Sequence, residues 1–217
     1  MNKTVELVNA WAAYEETHPD GSLEDFYRFS LVRGRDRDPQ RKAVGGIIPH
    51  STAGFFLKLF GRLSQMLQTY EETAVREAGL NQVEEFMLLS NINFGNPRKT
   101  ELVYAAILEL STGTNILNKL LTEGYIVEST DNEDKRSKRI RLTKKGEKLL
   151  VQCRTNLVRI GSLLLSDMPE DEQQLCIQLL KGLELKLSGL WLRHKGMSYE
   201  EVCEELGQKD GGPAGVH

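Results

Sequence analysis

The sequence is short of the residues that build covalent or metal frameworks. Its three cysteines, Cys153, Cys176 and Cys203, are far apart and odd in number, and none forms a C-x-x-C pair. That argues against a disulfide framework and against a zinc knuckle. They read as small core hydrophobes in a reducing compartment. The four histidines, His18, His50, His194 and His217, are equally scattered, so neither a metal centre nor a cofactor is expected. No run of about eighteen apolar residues occurs. Polar residues interrupt MNKTVELVNAWAAYEE at the N-terminus too often for the core of a signal peptide. A cytoplasmic chain with no membrane partner is the reading. A Gly-rich phosphate loop, a G-x-S-x-G elbow and an H-E-x-x-H pair are also missing, which argues against an enzyme.

What is present is ordinary in bulk and uneven in detail. At 217 residues the chain fits one large domain or two small ones. Its net charge of -3 and pI near 5.9 argue against a uniformly basic coat. Surface potential depends on where charges lie, however, so a local basic site remains open.

Periodicity is helical through the first half. Residues 3–17 carry Val5, Val8, Trp11 and Ala12 at helical spacing, and Ser22 opens a capping box, SLED, for a helix to about Leu31. Residues 33–46 read as a charged, glycine-rich loop or arm. In 51–78, Phe55, Leu59, Leu63, Met66, Leu67 and Tyr70 recur at three and four. Asn81 with Glu84 begins a helix carrying Val83, Phe86, Met87 and Leu89. Pro97 suits the first turn of a short helix to about Glu109, with Leu102, Val103, Ala106 and Ile107 inward. Ser111-Thr112 start another, buried along Ile116, Leu117, Leu120 and Leu121 and closed by Gly124.

The period then changes. Tyr125–Ser129 and Lys138–Leu142 read as two short strands joined by a polar loop, with Ile140 and Leu142 on one face and Arg139 and Arg141 on the other. Helical period returns at 144–166 and 170–191, a short acidic helix follows to Leu206, and the tail reads as disordered. The resulting division is a helical N-terminal extension (1–50), a linker helix (51–80), a helix-turn-helix with wing (81–145), C-terminal helices (146–206) and a tail (207–217).

Two short helices followed by a charged hairpin make a winged helix, in a mainly α fold. The second helix of such a pair fits the major groove, about 12 Å wide, and offers its N-terminal side chains to base edges. Here those are Ser111, Thr112, Thr114, Asn115 and Asn118, with Lys119 further along and Gly113 allowing close approach. The hairpin is a basic finger: eight of the fourteen residues from Lys135 to Lys148 are Lys or Arg. Lys135, Lys138, Arg139 and Arg141 can reach phosphate. Arg136 at the tip suits a narrow minor groove, and Asp134 can orient its guanidinium by a charge-assisted hydrogen bond.

The stretch DNEDKRSKRIRLTKKG, residues 131–146, resembles the wing signature of the MarR transcriptional regulators, D-x-x-D-x-R followed by a strand and L-T-x-x-G. The matching residues are Asp131, Asp134, Arg136, Leu142, Thr143 and Gly146. STGTNILNKLLTEGYI resembles the family's recognition helix and the turn into its wing, and the resemblance spans about 51–190. It implies a homodimer on a pseudo-palindromic double-stranded DNA operator, with Arg136 as the wing-tip arginine and Asp134 as its orienting partner. It also implies repression relieved by a small-molecule effector bound between the dimer helices and the DNA-binding lobe. A winged helix that binds protein or RNA without sensing a ligand is the alternative.

Three features depart from the family. Asn115 stands where many relatives are basic. The first fifty residues exceed the usual N-terminus, and RGRDRDPQRK at 33–42 reads as a solvated loop or an extra DNA arm. The first long helix lacks the cysteine of the peroxide-sensing members, which leaves Cys153 as a less favoured sensor.

Overall fold

The computed structural model describes residues 2–35, 51–93, 95–130 and 138–209, in two compact units, Met1–Ser64 and Gln65–His217. In the first, α1 (Lys3–Glu15) and α2 (Leu23–Arg35) meet through their aromatic side chains. The capping box is real: Ser22 Oγ accepts from Asp25 N–H at 3.2 Å while the Asp25 carboxylate accepts from Ser22 N–H at 3.0 Å. The helix it opens runs four residues past Leu31, so residues 33–35 are helical where the sequence suggested a loop; the rest of that charged segment, 36–50, lies outside the described residues. Tyr14 and Phe26 are buried between the two helices. Their rings lie 5.5 Å apart, and the Tyr14 ring stacks on His18 at 4.5 Å.

The long helix α3 (Thr52–Ala78) matches its sequence pattern. The second unit then builds α4 (Val83–Ile92), α5 (Lys99–Ala105), α6 (Leu110–Thr122), β1 (Ile126–Thr130), β2 (Lys138–Leu142), α7 (Lys144–Leu164), α8 (Glu170–His194) and α9 (Tyr199–Lys209). Its core gathers Val75, Leu88, Leu89, Leu102, Val103, Leu117, Leu120, Ile126, Ile140, Leu150 and Cys153, each at most 2% exposed. Burying each leucine contributes roughly 1.5–3 kcal/mol, so this cluster anchors the helix-turn-helix and the wing together.

Several local readings change. α4 begins at Val83, and its start is closed by Glu85, whose carboxylate accepts from Asn81 N–H at 2.9 Å; Glu84 is not that partner. Pro97 is not helical. Its carbonyl accepts from Ile140 N–H at 3.0 Å, and Arg98 bridges Arg139, so this extended segment is an edge of the wing. α5 starts two residues after Pro97, held by Glu101, which accepts from Arg98 N–H at 2.7 Å. It stops at Ala105. Ile107, expected inward, is 60% exposed at φ 56°, because the tight turn between α5 and α6 inverts the backbone there.

A candidate nucleic-acid interface

The turn at Ile107 delivers α6 with one face buried and one open. Gly113, Ile116, Leu117 and Leu120 pack inward. Ser111, Thr112, Asn115 and Asn118 are exposed, and Thr114 is half-buried. At 100° per residue, Ser111, Asn115 and Asn118 fall within one narrow stripe opposite the buried arc. The N-cap, Glu109, makes no side-chain capping bond, so the first-turn N–H groups of α6 stay turned outward, the arrangement that suits an anion.

Two expectations for this helix change. Gly113 serves packing rather than approach to a ligand: a Cβ there would lie 2.5 Å from a methyl of Val103, so it lets α5 and α6 close on each other. Lys119 is turned toward the core. Its ammonium binds the carboxylate of Glu85, whose side chain is 1% exposed, and lies 3.8 Å from Glu123. The hydrogen bond that the ammonium donates to Glu85 holds the Lys119 pKa above its ordinary 10.5. An isolated buried carboxylate would be costly, and Lys119 is what makes Glu85 tolerable across the α4–α6 contact. The sequence signal was a glutamate at a core position of α4, 34 residues along the chain from its partner, and periodicity alone does not couple such a pair.

The wing is an antiparallel ladder that pairs Ile126 with Leu142, Glu128 with Ile140 and Thr130 with Lys138. Ile140 is fully buried and Arg141 exposed, as the alternation required; Lys138, on the face of Ile140, is also exposed, and Arg139 is half-buried. Arg139 donates to the Asn96 carbonyl at 2.9 Å, fastening the wing to the segment before α5. Lys99 pairs with Glu128 across the same junction. Lys145 donates to the Glu123 carbonyl at 2.7 Å and lies 4.3 Å from the Tyr125 ring centre, so it closes the end of α6. Asp131, Asp134, Lys135 and Arg136 lie outside the described residues.

Exposed polar side chains of α6 and exposed bases of β2 thus belong to one rigid unit, positioned by a shared core. A family model described as "Winged helix-turn-helix" matches residues 85–158. Residues 85–158 therefore form a winged helix-turn-helix, in a fold that resembles MarR-type structures. Over 127 residues the chain is 27% identical to the "Uncharacterized HTH-type transcriptional regulator YkoM" of Bacillus subtilis, covering 58% of this chain and 82% of that one. It superposes on the MarR protein of Peptoclostridium difficile with TM-score 0.60 at 20% identity, over 70% of this chain and 99% of that one. A similar match, TM-score 0.54 at 20% identity over 60% of this chain and 90% of the other, is to the transcriptional repressor CouR, solved bound to a 23-mer DNA duplex.

The L-T-x-x-G part of the MarR-type signature has a steric cause in this chain. Thr143 Oγ accepts from Gly146 N–H at 3.1 Å, capping α7, and donates to the Gly124 carbonyl at 2.8 Å. A Cβ on Gly146 would lie 2.1 Å from the Tyr125 carbonyl oxygen. The motif therefore clamps the exit of the wing onto the turn that follows α6, which fixes the wing and α6 in one relative pose.

Proposed function

We propose that this protein is a dimeric, sequence-specific DNA-binding transcriptional regulator, a repressor whose operator affinity a small molecule modulates. The observation that carries the DNA-binding part is the joint placement of the open α6 face and the exposed bases of β2 on one clamped unit. Ser111, Thr112, Thr114, Asn115 and Asn118 would meet base edges. Lys138, Arg139 and Arg141 would meet phosphate, and Lys135 and Arg136, oriented by Asp134, would carry the wing tip. Lys119 acts through its ion pair with Glu85, by fixing α6 on α4. The solved complex of CouR with DNA supports the reading by fold, and likeness to a Bacillus protein named as a transcriptional regulator supports regulation.

A second copy of the chain is the partner that the long helices need. Phe55, Leu63, Met66, Leu67 and Tyr70 of α3, and Leu185 and Leu192 of α8, are each more than 40% exposed in the single chain. Stripes of this kind are stable in water when they face another apolar surface. A homodimer would set two recognition helices about one DNA turn apart.

Footprinting on the DNA upstream of the protein's own gene, with excess nonspecific competitor, tests the reading. A protected inverted repeat that Arg136→Ala loses while staying folded and dimeric is the expected result. Equal binding to every duplex, or a mutant that protects as well as the parent, would overturn it.

A further inference from the structure

The C-terminal helices hold a cavity of about 520 Å³ that the DNA-binding reading leaves unused. Leu183, Leu187, Leu190 and Trp191 of α8 face Leu206 of α9 across it. α9 is folded back on the end of α8 by Glu205, which lies 3.2 Å from Arg193 and 3.3 Å from His194. Ser198 and Glu201 cap its start, Glu201 accepting from Ser198 N–H at 2.7 Å. The lining is mostly apolar, four leucines and Trp191, with Lys186, His194 and Lys195 supplying its polar groups. The buried His194 Nε2 makes no aligned hydrogen bond.

Lys195 links this cavity to α6. Its ammonium lies 3.3 Å from the Glu109 carboxylate, at the N-cap of the recognition helix, and 5.2 Å from the ring centres of both Tyr104 and Trp191. One cation therefore neutralises an acid at the helix end that faces phosphate, and sits against the ring that lines the cavity.

We infer that the α8–α9 cavity is a binding site for a medium-chain aliphatic carboxylate, whose tail fills the leucine walls and whose head takes Lys195 from Glu109. Occupancy unmasks the Glu109 charge beside the α6 N-terminus, where it repels phosphate. The ligand thus weakens DNA binding, and the coupling is bounded by what an exposed ion pair is worth, about two- to fivefold. The site is separate from the one between the dimer helices and the DNA-binding lobe that the family resemblance suggests. Its DNA consequence rests on the proposed function; the binding itself does not.

Calorimetric titration of the full chain with sodium octanoate, and with octan-1-ol as the uncharged equivalent, tests this. Octanoate is expected to bind at least fivefold more tightly than octanol. Lys195→Gln should erase that preference, and Leu206→Trp, checked for helicity, should abolish binding of both. Glu109→Gln frees Lys195 and should tighten octanoate binding about threefold without any DNA present, as reciprocity of linked sites requires. Equal affinity for acid and alcohol, no response to Lys195→Gln and Glu109→Gln, or a cavity closed by a second copy in the dimer would each overturn the inference. With a DNA duplex present, octanoate should loosen the native complex and leave the Glu109→Gln complex unmoved. Failure of any duplex to bind would count against the DNA reading, while the titrations would still decide the site.

Discussion

Replacing Lys119 with methionine separates two roles that its sequence position leaves combined. Methionine keeps most of the side chain's apolar volume and removes the charge. Glu85 would then be left with the Asn81 N–H as its hydrogen-bond partner, at 2.9 Å, in a site that leaves its side chain 1% exposed. Removing one partner of a fully buried ion pair costs about 3–5 kcal/mol. Lys119 itself is 31% exposed, so water reaches the site and the expected loss is nearer 2–3 kcal/mol. For a chain of this length that corresponds to a Tm lower by roughly 5–10 °C. Thermal unfolding followed by circular dichroism reads it directly. Glu85→Gln should cost less, because an amide tolerates burial without a cation, and the double variant should show a favourable coupling of about 1–3 kcal/mol. Well below its melting temperature, Lys119→Met should bind DNA within about twofold of the parent. A variant with unchanged Tm and a large loss of DNA affinity would refute the structural role and return Lys119 to the groove.

The same pair sets an alkaline limit. The Lys119 pKa is raised by Glu85, so its contribution is complete below about pH 10.5 and fades as pH climbs through the raised value. The stability difference between parent and Lys119→Met should close in that range, as urea titrations from pH 8 to 11.5 would show; a constant difference would count against the pairing. Gly113→Ala should cost about 1–3 kcal/mol by overpacking, and Val103→Ala beside it should relieve at least about 1 kcal/mol of that, measured by urea midpoints. Gly146→Ala, which meets backbone rather than a side chain, should cost at least as much and find no such second-site relief. Burial pushes the Cys153 thiol up to about 11, so at pH 8 a thiol reagent should label exposed Cys203 quickly and Cys153 only on unfolding; rapid labelling of Cys153 in the folded protein would reopen a redox role. DNA binding should fall with salt at a log–log slope near -0.9 per phosphate contacted, and Arg141→Ala should reduce that slope by about one.

How well the sequence could be read depended on the kind of force that placed each residue. Where a single face decides, as in β2, alternation was enough: Ile140 had to be buried and Arg141 exposed once Lys138–Leu142 was a strand. α3 likewise followed from the spacing of its own apolar residues. Positions set by a partner far along the chain were not readable this way. Pro97 looked like a helix start because proline suits one, yet its free carbonyl completes the wing beside Ile140. Ile107 looked inward by helical spacing, but the turn had already ended the helix. Gly113 and Lys119 both lie on the helix expected to meet DNA, and each is explained by what packs behind it: Val103 in one case, Glu85 in the other. The L-T-x-x-G match was recognised as a pattern, and its reason appeared only when Gly146 was seen against the Tyr125 carbonyl. Residues aimed outward from α6 and β2 therefore inherit their pose from three inward contacts, at Gly113, Lys119 and Gly146. It follows that a substitution at Gly113 or Gly146 should disturb recognition through geometry, lowering stability and DNA affinity together, and Lys119→Met should lower stability with affinity nearly kept, whereas Asn115 or Arg141 should change affinity alone.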